Sequence, residues 1–209
     1  MAAKRRIPPG KERDIRRKVG IRSVRKSFLI VCEGQNTEPE YFNSFRLTSA
    51  AVKAVGKGLG TRMLVREAIS IREEERRKGN TYDQCWVVFD KDDFPEEDFN
   101  AAIRESEAEG FHAAWSNQAF ELWFIFHFIQ YHGPLHRNQY ATMLTKLTGI
   151  PYSKKAGVAS ALYNLLYPRL DTAIINAKIV LADFQGVTPA KSESATTVFA
   201  LAEQLKSCM

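Results

Sequence analysis

Ser27-Phe-Leu-Ile-Val-Cys-Glu-Gly34 and Asp83-Gln-Cys-Trp-Val-Val-Phe-Asp-Lys-Asp92 decide the fold. Each is a short run of branched and aromatic residues ending in acids, the pattern of a buried strand. Helix signals lie around them. Thr37-Glu-Pro-Glu40 has the spacing of a capping box with proline in the first turn, and predicts a helix to about Leu47. Residues 49–61 carry Gly56, Gly58 and Gly60 and read as a loop, and Thr61-Arg-Met-Leu-Val65 reads as a weak second strand. A charged helix should follow from about Arg66 to Lys78, stopped by Gly79-Asn80. Asp93 and Glu96 flank Pro95 in a second capping spacing, with Asp93 as the cap and Gly110 as the stop. Phe111 to Trp115 reads as a further strand, and Phe120 to about Tyr131 as an apolar helix.

This alternation of strands and helices predicts an α/β fold, a parallel sheet with helices on both faces. From about residue 134 strand signals stop, and 138–148, 157–183 (broken at Pro168) and 194–207 read as helices. Leu162, Leu165, Leu166, Leu170, Ile174, Ala177 and Leu181 form a stripe suited to packing on the sheet.

The chain has 209 residues, 44% hydrophobic and 26% charged, which fits one domain with an appendage and excludes wholesale disorder or a collagen-like chain. No apolar run reaches the roughly 18–20 residues of a membrane helix, and no secretory apolar core is visible at the start. Cys32, Cys85 and Cys208 are too few and too scattered for a disulfide framework or a zinc cluster, so a reducing cytoplasm is expected.

Charge divides the chain. Residues 1–26 hold eleven basic and two acidic side chains, net +9, while the other 183 residues hold 19 basic and 22 acidic ones, net −3. A basic arm on a near-neutral domain suits polyanions, because each neutralised phosphate releases a counterion. Lys4, Arg5, Arg6, Arg16, Arg17 and Lys18 are its candidate nucleic-acid contacts, joined by Lys91, Lys154 and Lys155 from the rest of the chain. The expected organisation is an arm over 1–26, an α/β core over 27–133 and a helical extension over 134–209 packed on that core.

In an open parallel sheet, ligands bind beyond the carboxyl ends of the strands. Glu33, Asp90 and Asp92 follow two such ends. Carboxylates crowded in one crevice repel, and either protons or a divalent cation must neutralise them. Hard oxygen ligands favour Mg2+ or Mn2+. Glu121 sits in an apolar helix, where a lone carboxylate needs a partner, and Glu38 opens the first helix. Both are candidates for a supporting place beside the ligands. His112, His127, His132 and His136 lack metal-ligand spacing, and no Rossmann or Walker loop is present.

Together these stretches resemble a known family. Strand-Glu-Gly followed by strand-Asp-x-Asp is the Toprim signature of topoisomerases, primases and overcoming-lysogenization-type nucleases. More closely, the chain resembles the RloB/AbiLii-type proteins of bacterial abortive phage resistance. The basic arm, Phe28 to Phe42, Trp86-Val-Val-Phe-Asp-Lys-Asp-Asp93, Ser116-Asn-Gln-Ala-Phe-Glu-Leu-Trp123 and Thr196-Thr-Val198 carry the likeness. Gln118 stands where proline is expected, which bears on the entry turn of the following helix.

The resemblance implies a Toprim-like open, mainly parallel sheet of about four strands between helices, with a helical C-terminal part. It implies Glu33 as general acid/base and Asp90 and Asp92 as metal ligands, with Mg2+ or Mn2+ as cofactor. The implied activity is phosphodiester cleavage in DNA or RNA, tRNA included, alongside an ATPase partner. The alternative is a non-catalytic module that binds nucleic acid or a nucleotide and signals to that ATPase. A haloacid-dehalogenase-type phosphatase would need its Asp-x-Asp after the first strand, whereas here a Glu-Gly strand precedes it.

Overall fold

A computed structural model describes residues 26–54 and 60–209. Four strands, β1 (Phe28–Cys32), β2 (Ala50–Ala54), β3 (Gln84–Asp90) and β4 (Phe111–Ser116), form one parallel sheet in the order β2-β1-β3-β4. The helices are α1 (Thr37–Asn43), α2 (Thr61–Arg77), α3 (Glu96–Ala108), α4 (Glu121–Phe126), α5 (Arg137–Thr148), α6 (Val158–Leu166), α7 (Leu170–Ala182) and α8 (Val198–Lys206). The architecture is the Toprim-like open α/β sheet with a helical C-terminal region.

The strands' period of two divides the core. Leu29, Val31, Val87 and Phe89 pack with Leu64, Val65, Phe99 and Ile103 from α2 and α3. Phe28, Ile30, Cys32, Trp86 and Val88 face the other way, onto side chains of α1 and of α4 to α8. All five residues of β1 are fully buried, as a strand covered on both faces requires. Residues 134–209 therefore have no core apart from the sheet's.

Several predicted elements move. Thr61–Val65 is the first turn of α2, because Thr61, Leu64, Val65 and Ala68 recur at helical spacing and are buried. The second strand instead lies at Ala50–Ala54, within the expected loop. The Thr37–Glu40 capping box does not form. Asn36 is the N-cap with no side-chain cap bond, and Glu40 crosses to another helix, accepting from the amides of Gly157 at 2.6 Å and Ser160 at 3.5 Å. The N-cap position of α3 is Pro95 rather than Asp93.

The apolar helix α4 ends at Phe126, five residues early, where Asn176 of α7 donates to the Phe126 carbonyl at 2.8 Å and satisfies an orphan acceptor. Pro168 breaks the long helical stretch into α6 and α7 through a short 3-10 turn, as proline's missing donor predicts. The last helix starts at Val198 rather than 194, since the chain before it sheathes the β4 edge. There Thr196 pairs with Ser116 in an isolated antiparallel bridge, and the Thr197 hydroxyl accepts from Trp115 N–H and donates to Ala113 O, both at 3.0 Å. No helix among the described residues is long and apolar enough to cross a membrane.

Candidate functional site

Strand order places the cleft. The chain leaves β1 toward β2 on one side, then crosses to β3 and β4 on the other. Between the carboxyl ends of β1 and β3 the connections part in opposite directions and leave a crevice. Glu33 follows β1 and Asp90 ends β3, and the Asp90 amide donates to Glu33 Oε2 at 3.3 Å. Glu33, Gly34, Glu38, Asp90, Asp92 and Lys154 line one cleft with the backbone turn before α1.

Each acid is set by its local backbone. The Glu33 amide donates to Val88 O at 3.0 Å, extending the ladder one residue past β1. Asp92 adopts a positive φ of 40°, a conformation aspartate tolerates better than most residues. Its amide donates to Gln118 O at 2.9 Å and that of Lys91 to Ser116 O at 2.8 Å, which ties the Asp-Lys-Asp turn to the end of β4. The Asn117–Gln118 peptide beside it is cis, and the Asn117 side-chain amide donates to Pro189 O and Ala190 O. Glu38 folds back over Gly34. A Cβ there would lie 2.1 Å from its Oε2, so the position has room only for glycine while Glu38 stays seated.

Burial dominates the electrostatics. It pushes the Glu33 carboxyl up to about 7, with Asp92 and Glu38 adding to the rise and the Asp90 amide and Lys154 opposing it. Glu38 is likewise pushed up to about 7, first by burial and then by the Glu121 and Asp92 charges. Asp90 lies well above the usual carboxylate range for the same leading reason, with Glu38 as its strongest charged neighbour. The Glu121 side chain, 2% exposed, receives the Tyr152 hydroxyl on Oε1 at 2.8 Å and the Lys154 ammonium on the same oxygen at 3.2 Å.

The donor chemistry of this cleft fits a hard cation. Asp90 Oδ1 and Glu121 Oε2 are buried acceptors with no hydrogen-bond partner, and such atoms are costly to leave uncompensated. Among the described residues, however, no group of three or more His, Cys, Asp or Glu side chains is drawn together closely enough to hold a metal ion as it stands.

The other candidates separate. Lys91 does not line the cleft, and its ammonium donates to Phe94 O at 2.5 Å. Lys155 is exposed beside Lys154 on the segment linking α5 to α6. Lys4, Arg5, Arg6, Arg16, Arg17 and Lys18 lie outside the described residues. His127 is 1% exposed, its Nδ1 is 2.9 Å from Trp123 O, and burial lowers its pKa to about 4. Sequence reasoning missed Tyr152 and the route of Lys154. Both come from a segment more than a hundred residues after β1, and no local spacing announces that contact.

A family model described as RloB-like protein matches residues 28–205. No curated protein and no solved structure matches the chain.

Proposed function

This chain belongs to the RloB-like protein family, and from that premise we propose that it is a metal-dependent nuclease of bacterial anti-phage, abortive-infection defence. It would cut a phosphodiester bond in DNA or RNA, tRNA included, and work with an ATPase partner in the cytoplasm. The observation that carries this reading is the meeting of Glu33, Glu38, Asp90 and Asp92 in one cleft at the sheet's crossover.

Glu33, Asp90 and Asp92 would hold Mg2+ or Mn2+, with Glu38 and Glu121 beside them. Such an ion, when bound, polarises a phosphate and acidifies a water. Glu33 is the proton carrier. Burial raises its pKa to about 7 in the metal-free cleft, toward the range that suits a general acid/base. Its Oε2 accepts from the Asp90 amide, which orients the carboxyl in the cleft. Lys154, Lys155 and the basic arm would draw the polyanion to an otherwise acidic rim.

A second reading, a binding module that signals to the ATPase without cutting, draws on the lack of a gathered ligand set among the described residues. Incubating the protein, with and without a candidate partner ATPase, with plasmid DNA and total RNA plus Mn2+ decides between them. Cleavage should occur in the wild type and fall at least about hundredfold in Asp90→Asn, the scale of losing a participating group. The variant's metal-free stability should hold or rise, because an amide in the buried cleft needs neither a proton nor a counter-charge. Binding without cleavage by the wild type in every arm would favour the module.

A further inference from the structure

The cleft already contains a cation. Lys154 Nζ lies 3.2 Å from Glu121 Oε1. Its charge also bears on Glu33, Glu38 and Asp90. Burial works against that charge, yet Glu121, Asp90 and Glu38 outweigh it and hold Lys154 above the usual lysine value.

The lysine does not come from the sheet. It rides on the segment from Gly149 to Gly157, whose end glycines sit at φ 72° and 84°, turns that cost glycine little. Three anchors fix this strap. Gly157 N–H donates to Glu40 Oε1 at 2.6 Å, Asn36 Nδ2 to Lys154 O at 3.2 Å, and the Tyr152 hydroxyl to Glu121 Oε1 at 2.8 Å. None of the three uses Nζ. The Lys154 side chain is 61% exposed whereas that of Glu121 is 2% exposed, so the ammonium can swing into water with the strap still in place. Asp90, 7% exposed, lines the same cleft with its Oδ1 unpartnered. A buried carboxylate of this kind is costly unless it is protonated or faces a positive charge.

Taking the cleft as a divalent-metal site, we propose that Lys154 is a tethered counter-ion that occupies it in the metal-free protein and is displaced when Mg2+ or Mn2+ enters. Lysine and metal compete for the same negative charge, because the Lys154 ammonium on Glu121 also acts on Glu33, Glu38 and Asp90. The metal's apparent affinity is then its intrinsic affinity reduced by the fraction of molecules in which the lysine is out. The strap sets a threshold below which the site stays empty and the acids stay shielded.

The test uses the full chain stripped of metal, with Mn2+ as the probe. Lys154→Gln removes the charge and Lys154→Arg keeps it. Mn2+ binding, read by electron paramagnetic resonance of the free ion, should tighten about tenfold or more in Lys154→Gln, the scale of one unit charge at contact distance near a protein surface. It should stay at the wild-type value in Lys154→Arg. In the wild type, Mn2+ should raise the reactivity of Lys154 toward an amine-acylating reagent relative to Lys155, read by peptide mass spectrometry.

Equal or weaker Mn2+ binding in Lys154→Gln overturns the counter-ion and leaves the metal site standing. Absence of Mn2+ binding from both wild type and variant overturns the metal reading and the proposal with it. Should Lys154→Gln not fold, the wild-type reactivity decides alone, and reactivity unchanged by Mn2+ overturns the proposal.

Discussion

Glu33 and Glu38, both raised from 4.5 to about 7, and Asp90, held well above the usual carboxylate range by burial, make the cleft a proton store. In the folded state these groups keep protons that the unfolded chain has already lost, so stability falls as pH rises through that interval. Buried His127 acts with the opposite sign, because its pKa drops from 6.5 to about 4, but its contribution is complete once pH exceeds 6.5. Above that point the carboxylates act alone. The thermal midpoint of the metal-free protein in chelator should therefore be lower at pH 8.5 than at pH 6.5, and Asp90→Asn should shrink the drop. A midpoint that rises over this interval would refute the assignment of burial as the cause. Glu33, Asp90 and Asp92 can be picked from sequence because each follows a strand run. Lys154 is visible there only as a surface basic residue, since its partner Glu121 is supplied by tertiary packing.

At the scale of elements, Glu40 shows why spacing alone misleads. Thr37-Glu-Pro-Glu40 has the letters of a local cap, yet the Glu40 carboxylate caps α6 and fastens the strap that carries Lys154. Glu40→Ala should cost about 0.5–2 kcal/mol in denaturant unfolding, the range for losing a cap. Hydrogen exchange at the amides of Gly157 and Ser160 should accelerate while the β1 amides stay protected, and unchanged exchange there would show that the cap contributes nothing. The misplaced second strand has a different cause. Ala50–Ala54 is alanine-rich and weak in strand propensity, so pairing with β1 makes it a strand rather than its own composition. The helical period of Thr61, Leu64, Val65 and Ala68 is readable, and the branched ends of that stretch hide it.

Across the whole molecule, the basic stretch and the acidic cleft residues are separated along the sequence by β1. The basic stretch joins β1 at its amino end, through Ser27, while Glu33 leaves its carboxyl end. Deleting residues 1–26 changes the formal charge from +6 to −3. Nucleic-acid affinity should fall, and the slope of log affinity against log salt should flatten by about 0.7–0.9 for each phosphate that the arm neutralises. Midpoints measured beside it should change little, because the core of β1 begins at Phe28. A salt slope identical in the truncated protein would remove the arm from the binding surface.

The shared core also sets a timetable for synthesis. The sheet is complete once residue 116 has been made, but the face bearing Phe28, Ile30, Trp86 and Val88 is packed by side chains as late as Leu201 and Leu205. At about 5–20 residues per second, the ribosome leaves that apolar face without its last cover for several seconds. During the first part of that wait Glu121 has been made and Lys154 has not. A chain released early would carry the acids without the lysine and an uncovered apolar sheet, which makes it a substrate for chaperones and proteases rather than a working fragment.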